Sequence, residues 1–189
     1  MSEVQCVFCD GHACTGNVDK NLKFCPRRNT EEALKKAEQI RTTDEQVKRI
    51  ADVAKSVETD GYKKWQRVRE LIEFCKRMQI KKLGIAFCVG LREETSQLTK
   101  ILKSHGFVVS TVACTVNGGC NPVGQALVLN QEGTELNIIM GLCMGHDVLF
   151  SKFSRAPITT LVVKDRVTCH NSVAPLVNRY WRDTFIKGN

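Results

Sequence analysis

The spacing of apolar residues changes along the chain and separates a first segment without periodicity from a helical segment. Residues 1–28 contain few apolar residues and show neither a helical nor a strand period. Beyond them, apolar residues recur at spacings of three and four, which predicts helices over 30–41, 44–58 and 62–79. Thr43 and Gln46 have capping-box spacing at the start of the second helix. Asp60-Gly61 is expected to end that helix.

The second half of the chain has a different pattern, in which short apolar runs alternate with helical segments. The runs predict four strands, at 83–88, 107–114, 136–141 and 158–163. Nearly continuous apolar strands separated by helices are typical of a parallel sheet that is covered on both faces. The predicted fold class is therefore α/β, a three-layer sandwich with a mostly parallel, about four-stranded sheet. Helices and a small N-terminal cysteine-rich metal module precede the sheet.

Two domains are predicted from this change of pattern. Residues 1–28 hold four cysteines but too few apolar residues to form a core, so a bound metal is expected to hold them folded. Residues 29–189 form the second domain, which comprises the helical lead-in and the α/β sandwich. A hydrophobic fraction of 42% is sufficient for a core of that size and excludes a disordered chain.

Composition also bears on where the protein is expected to work. No apolar run reaches the roughly 18 residues that a membrane span needs. The beginning of the chain, MSEVQCVFCDGH, lacks the basic and apolar regions of a signal peptide. We therefore expect a cytoplasmic protein without a membrane partner. In that compartment the ten cysteines are expected to be reduced, which favours metal or redox chemistry over structural disulfides.

The N-terminal cysteines have the spacing of a metal site. Cys6, Cys9, Cys14 and Cys25 follow the pattern C-x2-C-x4-C-x10-C, and four sulfurs complete a closed tetrahedral zinc shell. The Cys-Pro ending at Pro26 also occurs in iron–sulfur ligation, but the other gaps differ from the compact ferredoxin pattern, so zinc is favoured. His12 lies within the segment and is interpreted as a spectator.

Four further cysteines lie where the predicted strands end. They are Cys88, Cys114, Cys120 and Cys143. Ligands bind in the crevice beyond the carboxyl ends of the strands in open α/β sheets. A shared pocket could hold an iron–sulfur cluster or a second metal there. The alternative is that each is a small buried residue that ends a strand. A dithiol pair formed by Cys114 and Cys120 is a weaker interpretation, because the spacing is not C-x-x-C.

Polar residues follow the last two predicted strands and are candidates for acid–base and binding roles. The candidate catalytic residues are Cys120, Cys143, His146, Asp147, Lys164, Asp165, Arg166 and His170. Charges that follow a buried strand either pair with one another or face a polar site. Pairing of Asp165 with Arg166 is the alternative to a functional role for these two residues.

Several strings resemble a prokaryotic family of cysteine-rich metal-binding proteins, domain of unknown function 1847. The resemblance covers nearly the whole chain, and its most specific strings are CNPVGQA, GLCMGHD and KDRV. They include Asn121, Pro122 and Gln125 beside the candidate residues named above. The resemblance implies metal binding and does not indicate a reaction.

These observations lead to two hypotheses from different classes. In the first, zinc holds the N-terminal module, and the strand-end cysteines form a metal or iron–sulfur centre for sulfur or redox chemistry on a small sulfur-containing or anionic substrate. In the second, the protein is a non-enzymatic, zinc-stabilised module that binds a protein or a nucleic acid. Residues 63–82 contain eight Lys or Arg and two Glu, which favours the second hypothesis. The same charges are, more commonly, the solvated face of an amphipathic helix. The oligomeric state is not determined by the sequence.

Overall fold

The computed structural model describes residues 4–9, 14 and 23–188. The chain divides into two compact units, Met1–Ser56 and Val57–Asn189. The boundary between these two units lies within a helix. The domain boundary that the sequence predicts after residue 28 stays a prediction. No helix in the described ranges is long and apolar enough to cross a membrane.

The secondary-structure elements of the first unit, within the described residues, are all helices. A short 3-10 helix, Cys6–Phe8, is followed by α1 (Pro26–Asn29), α2 (Glu31–Thr43) and the first part of α3 (Glu45–Gly61). The backbone N–H of Gln5 donates to the carbonyl of Phe24 at 3.3 Å, which joins the segments that carry the first and last of the N-terminal cysteines.

Asp44, rather than the predicted Thr43, caps the beginning of α3. Its carboxylate accepts the backbone N–H groups of Gln46 at 2.9 Å and Val47 at 3.1 Å. Thr43 instead donates its hydroxyl to the carbonyl of Gln39 within α2. The capping-box prediction was wrong by one residue, because two neighbouring residues both carry side chains that can cap a helix. The helix ends at Gly61, as predicted.

The next helix, α4 (Arg67–Met78), begins five residues later than the sequence predicts. A turn precedes it, in which Lys63 has a left-handed φ of 57° and the N–H of Trp65 donates to the carbonyl of Gly61. Trp65 therefore lies outside the apolar face of α4, where it was predicted. The guanidinium groups of Arg69 and Arg77 each lie 5.7 Å from its ring centroid.

Four parallel strands form the sheet of the second unit, in the order β2-β1-β3-β4. The strands are β1 (Lys82–Phe87), β2 (Val108–Ala113), β3 (Leu136–Met140) and β4 (Ile158–Val162). The remaining helices are α5 (Arg92–Ser104), α6 (Pro122–Glu132), α7 (His146–Phe153), α8 (Ala174–Val177) and α9 (Arg179–Lys187). The predicted α/β class with a parallel, four-stranded sheet is confirmed.

Helices cover both faces of the sheet and create two hydrophobic cores. Alternate residues of β1 point to opposite faces. Leu83 and Ile85 pack with residues of α4 and α5, whereas Ala86 belongs to the core that includes residues of α6 and α7. Cys75 is fully buried in the first core, as predicted for a packing residue, and burial raises its pKa to about 12. The three-layer arrangement is therefore confirmed.

The strand order places a topological switch point between β1 and β3. The connection after β1 leads to one neighbour of β1, and the connection after β2 leads to its other neighbour, β3. Crevices at such points are the usual ligand-binding locations of open α/β sheets. All four strands also end at the same edge, so the residues that follow them are brought together.

A buried polar contact between β1 and β3 requires glycine at position 84. The Asn137 side chain is completely buried, donates to the Ser154 hydroxyl at 2.8 Å and accepts from the Thr134 hydroxyl at 2.8 Å. A Cβ at Gly84 would overlap Asn137 Oδ1 and would lie 2.9 Å from a methyl group of Leu129. The absence of a side chain at Gly84 therefore allows the amide to be hydrogen bonded within the core.

We expect Gly84→Ala to lower the free energy of unfolding by about 1–3 kcal/mol, because the added methyl group overpacks the core. Urea denaturation followed by circular dichroism measures the difference. Gly119→Ala is the matched control, since a Cβ there meets no atom within 4 Å and its φ is not left-handed. Equal denaturation midpoints for the two variants would contradict this account of Gly84.

Candidate thiolate site at the strand ends

The four strand-end cysteines are brought together by the segments that follow β1, β2 and β3. Cys88 and Cys114 follow the last residues of β1 and β2, and both are buried in the same core. Cys114 and Cys88 are neighbours in register at the ends of β2 and β1, and the N–H of Asn121 donates to the carbonyl of Cys114 at 2.7 Å, which brings Cys120 close to Cys114. Cys143 lies beyond β3, and its sulfur accepts a hydrogen bond from Arg166, whose charge also acts on Cys88 and Cys120. The predicted convergence at one edge is present, whereas the roles of these residues stay predictions.

Lys164 follows β4 and reaches across the switch point to Cys88. Its ammonium group donates to Cys88 Sγ at 2.9 Å. Burial alone would raise the pKa of the Cys88 thiol. The Lys164 hydrogen bond, the N–H of Gly90 and the positive charge of Lys164 outweigh burial, so the pKa of Cys88 is lowered from its ordinary value. Cys88 is thus more readily ionised than an ordinary cysteine thiol, because a positive charge favours thiolate.

Cys114 is in a different electrostatic environment from Cys88. Its sulfur accepts the backbone N–H of Val89 at 3.4 Å. Burial raises the pKa of Cys114, and negative charge on Cys88 or Cys120 would raise it further, although the Val89 hydrogen bond opposes these effects. Ionisation is therefore less favourable for Cys114 than for its neighbour Cys88.

Arg166 provides the second positive charge of the site. Its guanidinium group donates to Cys143 Sγ at 3.1 Å. This hydrogen bond, together with the charges of Cys143, Cys88 and Cys120, raises the pKa of Arg166 above its ordinary value. Among the ion pairs of the described residues, none joins Arg166 or Lys164 to a carboxylate. Sulfur is therefore the partner of both cations.

Asp165 and His170 shape the loop between these two cations. The Asp165 carboxylate accepts the backbone N–H groups of Val167 at 2.9 Å and Thr168 at 3.1 Å. Hydrogen bonds from the Thr168 side chain and backbone lower the pKa of Asp165, opposed by slight desolvation. The N–H of Asp165 donates to His170 Nδ1 at 3.1 Å, so neutral His170 carries its proton on Nε2.

These contacts show whether Asp165 and Arg166 pair with each other, which was the alternative to a functional role. Asp165 is bound to backbone N–H groups, and Arg166 is bound to a sulfur, so the described contacts do not pair the two residues. Both Asp165 and His170 are engaged in holding the backbone that presents Lys164 and Arg166. Their geometry favours a positioning role over the predicted catalytic one.

Asp147 has a similar structural role at the beginning of α7. Its carboxylate accepts the N–H groups of Gly145 at 3.0 Å and Val148 at 2.8 Å. Gly145 has a left-handed φ of 84°, which glycine adopts without strain. His146 is half-buried, and its backbone N–H donates to the carbonyl of Cys143 at 2.9 Å. In the described contacts its imidazole makes no hydrogen bond to a thiol, so proton transfer by His146 stays a prediction.

Gln125 was not among the predicted site residues, yet it joins the ends of the two strands that carry Cys88 and Cys114. Its amide nitrogen donates to the carbonyls of Phe87 at 3.2 Å and Val112 at 2.7 Å, and the side chain is completely buried. The sequence signal is a polar residue on the apolar side of α6. Asn121 caps this helix by accepting the N–H of Gly124, as the Asn121-Pro122 start predicts.

Two glycines leave room for Lys164. A Cβ at Gly90 would lie 3.4 Å from Lys164 Nζ and 4.0 Å from Cys88 Sγ, so a larger residue would press on this contact. Gly141 has a left-handed φ of 63°, and a Cβ there would overlap a methyl group of Leu91. Gly90 and Gly141 therefore each have a steric reason to lack a side chain.

The N-terminal cysteines are only partly enclosed. Cys6 and Cys14 are exposed, whereas Cys9 and Cys25 are half-buried, and the N–H of Cys9 donates to the carbonyl of Cys6 at 3.1 Å. His12 lies outside the described residues. Within residues 4–9, 14 and 23–188, no three His, Cys, Asp or Glu side chains are placed to hold one metal ion. The zinc site at the N-terminus therefore stays a prediction.

Several charges of the basic stretch at 63–82 have acidic partners. Arg67 pairs with Glu70 at 3.5 Å and Arg69 with Glu73 at 2.9 Å, and Arg77 pairs with an aspartate that precedes α4. These pairs reduce the charge that is available to a phosphate backbone. Nucleic-acid binding stays a prediction, and these contacts do not favour it.

We expect Lys164→Met to move the alkylation of Cys88 to higher pH in the reduced, metal-free chain. The substitution removes a hydrogen bond and the positive charge that lower the pKa, and leaves the effect of burial opposed chiefly by the N–H of Gly90. Iodoacetamide labelling across a pH series, with peptide mass spectrometry, measures the midpoint. Lys152→Met on α7 is the control, and Cys75, with a pKa of about 12, is an internal reference that stays unlabelled. An unchanged Cys88 midpoint in Lys164→Met would contradict this role of Lys164.

Comparison with known sequences identifies proteins that are similar to this chain. A protein of Methanocaldococcus jannaschii, described as uncharacterized, is 41% identical over 204 aligned residues, which cover 98% of this chain and 100% of the relative. The family described as protein of unknown function (DUF1847) matches residues 25–119 and 115–161. These segments include all four strand-end cysteines and exclude Lys164 and Arg166. The chain belongs to the DUF1847 family.

Proposed function

We propose that this protein is a metalloprotein whose functional centre is an iron–sulfur cluster at the strand ends. The proposed ligands are Cys88, Cys114, Cys120 and Cys143. The observation that carries the proposal is that four cysteines from three separate segments follow the strand ends at one edge of the sheet, beside two cations whose described partners are sulfur atoms. Thiolates are the ligands that iron–sulfur clusters require.

The charge of the site suits such a centre. A cluster with thiolate ligands carries net negative charge, and Lys164 and Arg166 would offset it. Hydrogen bonds to the ligand sulfurs and nearby positive charge also raise the reduction potential of a cluster. Lys164 already donates to Cys88, and Arg166 already donates to Cys143. The surroundings of the sulfurs therefore fit a reducible centre.

The chain's own residues suggest a reaction class for this centre. When bound, the cluster would supply electron transfer or, with only three cysteine ligands, an iron position that is open to a substrate sulfur. Lys164 and Arg166 would orient a small sulfur-containing or anionic substrate. Asp165 and His170 would hold the loop that carries both cations.

We also propose a structural zinc ion at the N-terminus, bound by Cys6, Cys9, Cys14 and Cys25. The C-x2-C spacing and the turn at Cys6–Phe8 support this proposal, because they place two sulfurs on one short loop. The Gln5–Phe24 hydrogen bond also brings the segment of Cys25 to this loop. The four cysteine side chains would have to move closer together to bind the zinc ion.

We expect the full chain, purified without oxygen, to contain iron and acid-labile sulfide and to absorb visible light. Cys143→Ser and Cys120→Ser should each lower the iron and sulfide content severalfold, because each removes a proposed ligand. Elemental analysis and absorption spectroscopy measure the loss. Cys169→Ser, which changes an exposed cysteine outside the proposed ligand set, should retain the cluster. Unchanged metal content in Cys143→Ser and Cys120→Ser, without iron, would leave the zinc-stabilised binding module as the better account.

We expect Cys6→Ser to lower bound zinc by about one ion per chain, because a structural zinc site needs all four ligands. Zinc content, measured by elemental analysis of the full chain, tests this. Iron and sulfide should be the same as in the unchanged chain, since the two proposed centres share no ligand. Equal zinc content in the two chains would contradict the N-terminal site and would leave the strand-end proposal unaffected.

A further inference from the structure

We propose that Cys120, Cys114 and Cys88 form a thiol–disulfide relay, which reduces a substrate disulfide when no metal centre occupies the three sulfurs. Cys120 is the thiol that meets the substrate, Cys114 is the resolving thiol, and Cys88 is the final acceptor. This activity goes beyond the proposed metal centre and depends on the contacts among the cysteines alone.

The strand register brings Cys88 and Cys114 within disulfide distance. Phe87 and Ala113 are the last paired residues of β1 and β2, and Cys88 and Cys114 are the next residues of the two strands. The N–H of Cys114 donates to the carbonyl of Phe87 at 2.8 Å, so the pairing extends to this position. Neighbouring strands lie about 4.8 Å apart. That separation is within the range of about 4.4–6.8 Å between the Cα atoms of disulfide-bonded cysteines.

The side chains of this pair also have compatible directions. Register partners on parallel strands point to the same face of the sheet. Both side chains belong to the same buried core, together with Ala126 of α6, and Cys114 Sγ accepts the N–H of Val89, the residue that follows Cys88. A disulfide between Cys88 and Cys114 therefore needs little movement of the backbone.

A closed loop places Cys120 beside Cys114, although five residues separate them in the sequence. The N–H of Asn121 donates to the carbonyl of Cys114 at 2.7 Å and brings the end of the loop back to its beginning. Within the loop, Asn117 forms a bridge with Gly119, and Gly118 has a left-handed φ of 90°. The closed loop thus brings Cys120 close to Cys114 in space, as a C-x-x-C turn does for its two cysteines elsewhere.

Exposure of the three thiols gives the relay a direction. Cys120 is exposed, whereas Cys114 and Cys88 are only 3% and 8% exposed. A disulfide in solution can reach Cys120 but not the two inner sulfurs. Cys114 lies between the other two residues, because it is the neighbour of Cys88 in register and the Asn121 hydrogen bond brings the end of the Cys120 loop back to it. Exchange between the surface and Cys88 therefore passes through Cys114.

The exchange reactions balance without another reactant. The Cys120 sulfur attacks the substrate disulfide, forms a mixed disulfide and releases one substrate thiol. Cys114 then attacks Cys120, forms the Cys114–Cys120 disulfide and releases the second substrate thiol. Cys88 attacks Cys114 and frees Cys120. Each attacking thiol loses a proton that the leaving thiolate takes up. The substrate disulfide is reduced by two electrons, and one pair of cysteines is oxidised.

Oxidised glutathione is a suitable probe of this relay in the reduced, chelator-treated full chain. We expect both halves of the reagent to be released as reduced glutathione, and Cys114 to be recovered in a disulfide with Cys88 or Cys120. Cys114→Ser should retain glutathione on Cys120, because the resolving thiol is missing. Cys120→Ser should react about tenfold more slowly, because the remaining thiols of the relay are buried. Non-reducing peptide mass spectrometry and a thiol assay measure these results.

Cys169→Ser is the control, because Cys169 is exposed like Cys120 but lies outside the relay; it should react at the rate of the unchanged chain. A stable glutathione adduct on Cys120 of the unchanged chain, with Cys114 still a free thiol, would overturn the inference. Reaction of Cys120→Ser at the unchanged rate would overturn it as well. The metal content of the untreated chain is a separate measurement, so failure of the relay and failure of the proposed cluster can be told apart.

Discussion

The parallel pairing of β1 with β2 on one side and with β3 on the other is the constraint on which the candidate site depends. Because all three strands run in the same direction, the residues that follow them meet at one edge of the sheet. Cys88, which continues the central strand, thereby lies between the cysteines of its two neighbours. The same pairing allows Lys164, beyond β4, to reach its sulfur, 76 residues away in sequence.

Polar residues at this edge divide into those that contact sulfur and those that hold the backbone. Lys164 and Arg166 donate to thiols, whereas Asp165 and Asp147 accept backbone N–H groups in tight turns. Gln125 connects the carbonyls of β1 and β2 from the core side. A buried amide without such bonds would be costly, so Gln125 also favours this particular strand pairing. The site therefore depends on Asp165, Asp147 and Gln125, which hold the backbone in place, as well as on Lys164 and Arg166, which contact the sulfurs.

The sulfurs of Cys88, Cys114 and Cys120 take part in both proposals. The redox state of these cysteines therefore affects both the metal centre and the relay. A disulfide between Cys88 and Cys114 would remove two of the proposed cluster ligands, because metal binding requires thiolates. Reduced thiols are available either to a metal centre or to a disulfide substrate. Lys164 lowers the pKa of Cys88 in the metal-free chain, whereas burial raises the pKa of Cys114.

The sequence by itself determined the order of helices and strands, the parallel sheet and the edge at which the cysteines gather. Those features follow from the local spacing of apolar residues and from the rule that parallel strands end together. The sequence did not show whether Asp44 or Thr43 caps the helix. It also did not show whether Asp165 stabilises a turn or takes part in catalysis. Those outcomes depend on which backbone N–H groups lie within reach of a side chain. Only the tertiary structure decided the strand order, the sulfur contacts of Cys114 and the partners of Lys164 and Arg166, because these contacts join residues that are distant in sequence and depend on packing and register.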